Sequence, residues 1–170
     1  MCISKRNYSH YRMGHFLPIE CSILMTGNEE RFRQKGETLM KLKVLIADGS
    51  EFFAQKLARA LVRTGKYDVV GIALDGKQAI NLIKEHKPDV LFLDLILARF
   101  DGLTVLDLTN DVIPKPVVIA SSMFISDYVK ASCKRLGVKF LLRKPCSVRK
   151  ILRCIKQAEE RKTLASTETA

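Results

Sequence analysis

The chain has 170 residues, a formal net charge of +11 and a hydrophobic fraction of 47%. That length leaves room for one core of ordinary size and little room for a second folded domain. The hydrophobic fraction predicts a packed globular domain and excludes a wholly disordered protein.

The apolar stretches and the cysteines exclude two further classes of protein. The longest apolar stretch runs from Val90 to Ala98, is interrupted by Asp94 and is far shorter than a membrane span. The five cysteines include neither a CxxC pair nor a spacing typical of metal ligands. We therefore expect a cytoplasmic protein with reduced thiols and no membrane segment or signal peptide.

Much of the positive charge lies in one stretch near the end of the chain. Between Arg143 and Lys162, eight Lys and Arg residues are opposed only by Glu159 and Glu160. This pattern occurs on helix faces that bind an acidic partner or nucleic acid, but a merely solvated helix face is the commoner case.

The first 39 residues differ from the rest of the chain. They show no sustained period of two or of 3.6 residues, whereas regular apolar patterns begin abruptly at Met40. We predict an unstructured extension at residues 1–39, a folded domain at 40–162 and a disordered tail at 163–170. Codons for Lys35-Gly36-Glu37 can form a ribosome-binding sequence, which suggests translation from Met40; a real, flexible arm is the alternative.

From Met40 onward, short aliphatic runs alternate with amphipathic stretches. This alternation is typical of βα units whose parallel sheet is covered by helices on both faces, in a three-layer α/β fold. The five predicted strands are residues 44–47, 69–73, 90–93, 116–120 and 140–143.

The predicted helices follow these strands in turn, and several have a clear capping residue. Ser50 and Ser147 can cap the first and last helices, while Asp75 and Asp101, each before a glycine, are interpreted as turn formers or helix caps. The inward faces are predicted as Phe53, Leu57, Ala60 and Leu61; Ala79, Ile80 and Ile83; Leu103 and Leu106; Val129, Cys133 and Leu136; and Val148, Ile151, Leu152 and Ile155.

Four polar residues follow the predicted strands. Asp48 follows the first strand, Asp94 the third, Ser121 the fourth and Lys144 the fifth. Ligands of such sheets bind beyond the carboxyl ends of the strands, at the point where the strand order reverses. We therefore expect two carboxylates, a hydroxyl and an ammonium to converge on one small site.

Four segments of the chain, in this order, resemble the CheY-like receiver domains of two-component response regulators. They are KVLIADGSEFFAQKLARAL, PDVLFLDLILARFDGL, PVVIASSM and FLLRKP. The resemblance runs from Met40 to about Arg161 and implies a doubly wound (βα)5 flavodoxin-like fold with parallel strand order 2-1-3-4-5. The pattern DLxxxxxDGL is similar to that of sporulation regulators of endospore-forming bacteria.

The resemblance also implies roles for the residues at the strand ends. Asp94 matches the aspartate that accepts a phosphoryl group, Lys144 the lysine that pairs with it, and Ser121 the hydroxyl that bonds a phosphoryl oxygen. Asp48, Asp94 and the backbone carbonyl of Ile96 match the ligands of Mg²⁺, which prefers oxygen.

Three departures from the family pattern concern this site. Gly49 stands where receivers carry a second acid that touches the metal, so Mg²⁺ affinity should fall by at least about 10–100-fold. Leu97-Ala98 replaces the usual Met-Pro after the acceptor, and proline's fixed φ is lost. Leu141 occupies the position of the aromatic switch residue.

The resemblance implies a phosphorelay switch that signals by protein contact and is not an enzyme. Its partners would be a histidine kinase or phosphotransfer protein and an acidic protein at the last helix, with no direct DNA binding unless an output domain follows. The alternatives are a pseudo-receiver that no longer answers phosphate, a flavodoxin-like flavin binder, and a truncated transcription factor. A flavin binder would require a phosphate loop rich in Ser, Thr and Gly after the first strand, where this chain has Asp48.

Overall fold

Five βα units follow one another along residues 41–167, which the computed structural model describes, with side chains described to residue 160. The predictions for residues 1–39, for Met40 as the start and for residues 168–170 lie outside this range. The strands are β1 (Leu42–Ala47), β2 (Tyr67–Ala73), β3 (Val90–Asp94), β4 (Val117–Ser122) and β5 (Phe140–Arg143). The helices are α1 (Glu51–Val62), α2 (Gly76–His86), α3 (Gly102–Leu108), α4 (Asp127–Arg135) and α5 (Val148–Thr167).

The strands form one parallel sheet in the order β2-β1-β3-β4-β5, which confirms the predicted fold. The order reverses between β1 and β3, because the chain leaves β1 toward β2 and returns to the other side of β1. The register pairs Ala47 with Leu93 and Asp94 with Ser121. The polar residues at these strand ends are therefore brought to one edge of the sheet.

Helices cover both faces of the sheet, which explains why the central strands are apolar without alternation. One face carries Leu45, Leu91 and Leu93 against α2, α3 and α4. The opposite face carries Ile46 and Phe92 against α1 and α5. This is the predicted three-layer architecture.

The helix caps agree with the predictions, whereas two of the inward faces differ in detail. Ser50 caps α1, and Asp75 and Asp101 cap α2 and α3. In α1, Ala54 is fully buried and Ala60 is only half-buried. In α5 the buried stripe Ile151, Cys154, Ile155 and Ala158 follows helical spacing of three and four residues, so Val148 and Leu152 lie at its border.

Some predicted bounds also need correction. Strand β2 begins at Tyr67, and β4 continues to Ser122, so Ser121 lies inside a strand and not after it. Helix α5 continues to Thr167, so the backbone of residues 163–167, predicted as part of a disordered tail, is helical. Within the part of the chain that the structure describes, no helix is both long and apolar enough to cross a membrane.

Tyr67, at the start of β2, connects the sheet to α5. Its hydroxyl donates a hydrogen bond of 3.3 Å to Glu159 Oε2. Burial, and then the charge and hydrogen bond of Glu159, raise the pKa of Tyr67 from about 10 to about 12. The folded state therefore holds this proton more tightly than the unfolded chain, and its stabilising effect is present below pH 10 and lost as pH rises toward 12.

We therefore expect Tyr67→Phe to reduce the loss of stability at alkaline pH. Between about pH 10 and pH 12, the parent protein should lose up to about 2 kcal/mol of unfolding free energy that the variant does not lose. Urea denaturation across this pH range measures the difference. Tyr128→Phe, at an exposed tyrosine, is the control; equal slopes for the parent and Tyr67→Phe would contradict the prediction.

Candidate functional site

The four polar residues predicted to converge lie at the carboxyl edge of the sheet. Asp48 directly follows β1, Asp94 is the last residue of β3, and Lys144 directly follows β5. Ser121 lies in β4 beside Asp94. The edge that carries them includes the point where the strand order reverses, because β1 and β3 are neighbours there.

Lys144 bridges the two carboxylates. Its Nζ lies 2.8 Å from Asp48 Oδ2 and 2.6 Å from Asp94 Oδ2, and it donates a hydrogen bond to each. The side chain of Asp48 is 1% exposed, and that of Lys144 is 21% exposed. The side chain of Lys144 therefore extends from the end of β5, past β4, to the ends of β3 and β1.

The second oxygen of each carboxylate is held by the backbone two residues further on. Asp48 Oδ1 accepts a hydrogen bond of 2.9 Å from the amide of Ser50, and Asp94 Oδ1 accepts one of 3.0 Å from the amide of Ile96. Each carboxylate is therefore fixed from two sides. Their orientation is set before any ligand binds.

The environment of Lys144 favours its charged form. Burial alone would lower the pKa of Lys144, but the hydrogen bonds to Asp48 and Asp94 and the charges of these residues raise it above its ordinary value. Phe53 lies beside this ammonium, with its ring centre 5.9 Å from Nζ, within the range of a cation–π contact. The sequence predicted Phe53 only as a core residue of α1; its position in the first turn of the helix that follows Asp48 was the available signal.

Ser121 contributes a buried hydroxyl to the same edge. The residue is fully buried, and its Oγ has no hydrogen-bond partner among the described residues. Leaving a buried polar group unpaired costs about 1–3 kcal/mol. A ligand oxygen that accepts a hydrogen bond from Ser121 would recover part of this cost.

The donor atoms at this edge fit Mg²⁺ in kind. Asp48 and Asp94 are carboxylates, and Ile96 carries the backbone carbonyl that the family resemblance assigns to the metal. Within the described residues there is no cluster of three or more Asp, Glu, His or Cys side chains that could hold a metal. Because Mg²⁺ commonly uses one or two carboxylates and keeps several waters, two acids are compatible with its binding.

Neither Ser50 nor Glu51, the next residues along the chain, supplies the acid that the family pattern places at Gly49. Glu51 is exposed at the first residue of α1, and its carboxylate accepts a hydrogen bond from Gln55 Nε2 at 2.9 Å. Ser50 is engaged as the cap of α1. A Cβ atom at Gly49 would have its nearest neighbour, the carbonyl oxygen of Leu74, 4.0 Å away, so the backbone leaves room for a larger residue.

The comparisons with known proteins agree on one protein family. Residues 44–156 match the family model described as the response regulator receiver domain. A relative from Lawsonia intracellularis, named protein-glutamate methylesterase/protein-glutamine glutaminase, is 33% identical over 81 residues, which are 48% of this chain and 23% of that protein. The chain thus spans less than a quarter of the length of this curated relative.

Two solved receiver structures are similar over most of the fold. The signal receiver domain of the putative response regulator NarL from Mycobacterium tuberculosis is 28% identical, with a TM-score of 0.64 over 70% of this chain and 97% of that chain. The response regulator domain of CheB from Thermotoga maritima is 27% identical, with a TM-score of 0.63 over 70% and 96%.

Proposed function

Because the chain belongs to the response regulator receiver domain family, we propose that it accepts a phosphoryl group on Asp94 in a phosphorelay and signals by protein contact. The observation that carries this proposal is the bridge from Lys144 Nζ to Asp48 and Asp94. The bridge joins a candidate nucleophile to a candidate counter-ion for the incoming phosphate. The methylesterase activity named for the Lawsonia relative is not transferred to this chain, because the match spans 23% of that protein.

The proposed chemistry is a transfer between two nucleophiles. A carboxylate oxygen of Asp94 attacks the phosphorus of a phosphohistidine on a histidine kinase or phosphotransfer protein. The new O–P bond forms while the N–P bond breaks, and the electron pair leaves with the histidine nitrogen, which can take up a proton from solvent. The product is an aspartyl phosphate.

Two side chains would contact the added phosphoryl group, and three residues would hold Mg²⁺ beside it. The ammonium of Lys144 exchanges its contact with Asp94 Oδ2 for one with a phosphoryl oxygen, as a compact point charge can. The hydroxyl of Ser121 donates to another phosphoryl oxygen. Asp48, Asp94 and the carbonyl of Ile96 would hold Mg²⁺, which when bound neutralises negative charge on the phosphoryl group.

Two departures favour a second candidate function, a pseudo-receiver that binds partners without phosphorylation. Gly49 removes a carboxylate from the metal site. Leu141 is half-buried against the core and has no aromatic ring that could change position.

A single assay separates the two functions. The protein is incubated with a small acyl phosphate and Mg²⁺, and its intact mass is then measured. We expect one added phosphoryl group on the parent protein and none on Asp94→Ala. If the parent protein gains no phosphoryl group, the pseudo-receiver is favoured.

We place the protein in the cytoplasm, where kinases of this kind act. The DLxxxxxDGL pattern favours a role in sporulation.

The partner surface of the protein is proposed to be the outer face of α5. Arg149, Lys150, Arg153 and Lys156 are all exposed there, on the side opposite the buried stripe. Lys156 lies 3.9 Å from Glu160, and Arg149, Lys150 and Arg153 add exposed positive charge that an acidic protein could contact.

Reversing charge on this face should strongly weaken binding of the acidic partner. We expect Arg149→Glu combined with Arg153→Glu to reduce pull-down of this acidic protein by at least about 10-fold, because like charges then face each other across the interface. Lys134→Glu combined with Arg135→Glu, on the exposed face of α4, is the matched control. Unchanged circular dichroism shows that folding is intact, and retained binding would contradict the prediction.

A further inference from the structure

The loop that follows Asp94, residues 95–101, is attached to the beginning of α2. The amide of Gly76 donates a hydrogen bond of 3.0 Å to the carbonyl oxygen of Ala98. Beside it, the guanidinium of Arg99 forms an ion pair with Asp75, with 3.3 Å between Nε and Oδ2. The loop thus contacts α2 through both backbone and side chains.

The approach between the loop and α2 is so close that only glycine fits. A Cβ atom at Gly76 would lie 1.9 Å from the carbonyl oxygen of Phe100. At the far end of the loop, a Cβ atom at Gly102 would lie 2.7 Å from the carbonyl oxygen of Asp94. Both contacts are with backbone atoms, which cannot rotate away as a flexible side chain can.

Arg99 has an unfavourable backbone conformation that its side chain helps to explain. Its φ is +68°, in the left-handed region that L residues other than glycine rarely adopt. The Arg99 side chain is 63% exposed, whereas that of Asp75 is 14% exposed. The ion pair with the largely buried carboxylate of Asp75 offsets part of the cost of this backbone conformation, which glycine would adopt with less strain.

Hydrogen bonds from Gln78 hold the carboxylate of Asp75 in place. Its Oδ1 accepts a hydrogen bond of 2.9 Å from the amide of Gln78, as the cap of α2, and its Oδ2 accepts one of 3.2 Å from Gln78 Nε2. Gln78 Oε1 in turn accepts from the amide of Leu74 at 3.1 Å. The carboxylate that Arg99 contacts is therefore fixed to both sides of the β2–α2 turn.

We propose that Asp75, Gly76 and Arg99 form a clamp that positions the acceptor loop, with Arg99 as a positioning residue for the chemistry at Asp94. The position of the loop affects Asp94 because the amide of Ile96 donates a hydrogen bond of 3.0 Å to Asp94 Oδ1. The loop also fixes the position of the backbone carbonyl of Ile96, the candidate metal ligand. The clamp supplies the stiffness that Leu97-Ala98 lacks in the absence of proline.

This inference rests on the proposed function for its chemical consequence and on the loop geometry for the clamp itself. The experiment therefore has two readouts on the whole 170-residue chain. Hydrogen exchange at the amides of Gly76, Ile96 and Phe100, without phosphodonor, reports the clamp. The rate of phosphorylation by a small acyl phosphate, and the Mg²⁺ concentration that gives half the maximal rate, report positioning.

The variants separate the charge of the ion pair from the helix cap and from a general effect on the fold. Asp75→Asn removes the charge and keeps an equally good helix cap. Arg99→Ala removes the pair, and Arg99→Lys restores a cation at the same position. Lys130→Ala, which breaks an exposed ion pair with Asp127 on α4, is the matched control.

We expect Asp75→Asn and Arg99→Ala each to speed exchange at these amides and to slow phosphorylation by about 2- to 5-fold, the size of an exposed or half-exposed ion pair. Both should raise the half-saturating Mg²⁺ concentration, the double variant should be no worse than either single variant, and Arg99→Lys should recover part of the loss. Lys130→Ala should resemble the parent protein.

Unchanged exchange in both single variants would overturn the clamp. Faster exchange with an unchanged phosphorylation rate and Mg²⁺ requirement would overturn the positioning role of Arg99. If the parent protein itself is not phosphorylated, the proposed function fails, the positioning role fails with it, and the exchange comparison alone decides whether the clamp exists.

Discussion

Replacing Gly49 with aspartate is expected to raise the affinity of the pocket for Mg²⁺ by about 10–100-fold, and to speed phosphorylation of Asp94 when Mg²⁺ is limiting. A carboxylate at this position adds a negative oxygen donor next to Asp48, the kind of ligand that Mg²⁺ prefers. The backbone at Gly49 is not in the left-handed region, and a Cβ atom there would meet nothing closer than 4.0 Å. The substitution should therefore be accommodated without strain.

Phosphorylation by a small acyl phosphate, followed by intact mass across a Mg²⁺ titration, measures this gain. Gly49→Asn is the matched control, because asparagine has nearly the same size but no charge. The half-saturating Mg²⁺ concentration should fall for Gly49→Asp and change much less for Gly49→Asn. The same Mg²⁺ requirement in parent and Gly49→Asp would show that the missing acid does not limit metal binding.

The second large effect is expected at Lys144. Lys144→Met removes the ammonium that contacts both Asp48 and Asp94, and leaves two largely buried carboxylates without their counter-ion. Breaking a buried pair from one side costs about 3–5 kcal/mol, and because Lys144 is 21% exposed we expect a smaller loss, about 2 kcal/mol of unfolding free energy.

Urea denaturation at neutral pH tests this loss, with Lys156→Met as the control at an exposed ion pair on α5. Adding Mg²⁺ should restore more stability to Lys144→Met than it adds to the parent, because a divalent cation can neutralise the same two carboxylates. If Lys144→Met is as stable as the control, the bridge does not contribute to the fold.

Much of the fold was predictable because strong local signals agreed with one another. Unalternating apolar runs predicted strands buried on both faces, and Ser50, Asp75 and Asp101 predicted the helix starts that the structure has. Parallel strands place their carboxyl ends at one edge, so Asp48, Asp94 and Lys144 were expected near one another. The sheet order itself came from the family resemblance, since apolar periodicity does not determine which strands are neighbours.

What could not be predicted depends on contacts between distant segments. The inward face of α5 was predicted in part: Ile151 and Ile155 are buried, whereas Cys154 and Ala158 were missed because they are small and their burial depends on how the helix lies on the sheet. The clamp joins Asp75-Gly76 to residues 98–100 through a left-handed Arg99. No local pattern indicates that φ, since arginine has no preference for it. The roles of the site residues in phosphoryl transfer stay predictions.

One measurement tests the central claim, that Asp94 accepts the phosphoryl group. Borohydride reduces an aspartyl phosphate to homoserine, and peptide mass spectrometry then identifies which residue was converted after treatment with an acyl phosphate and Mg²⁺. We expect homoserine at residue 94 only, and none without the phosphodonor. Conversion at Asp48 in place of Asp94, or no conversion in a protein that is folded and supplied with Mg²⁺, would contradict the assignment.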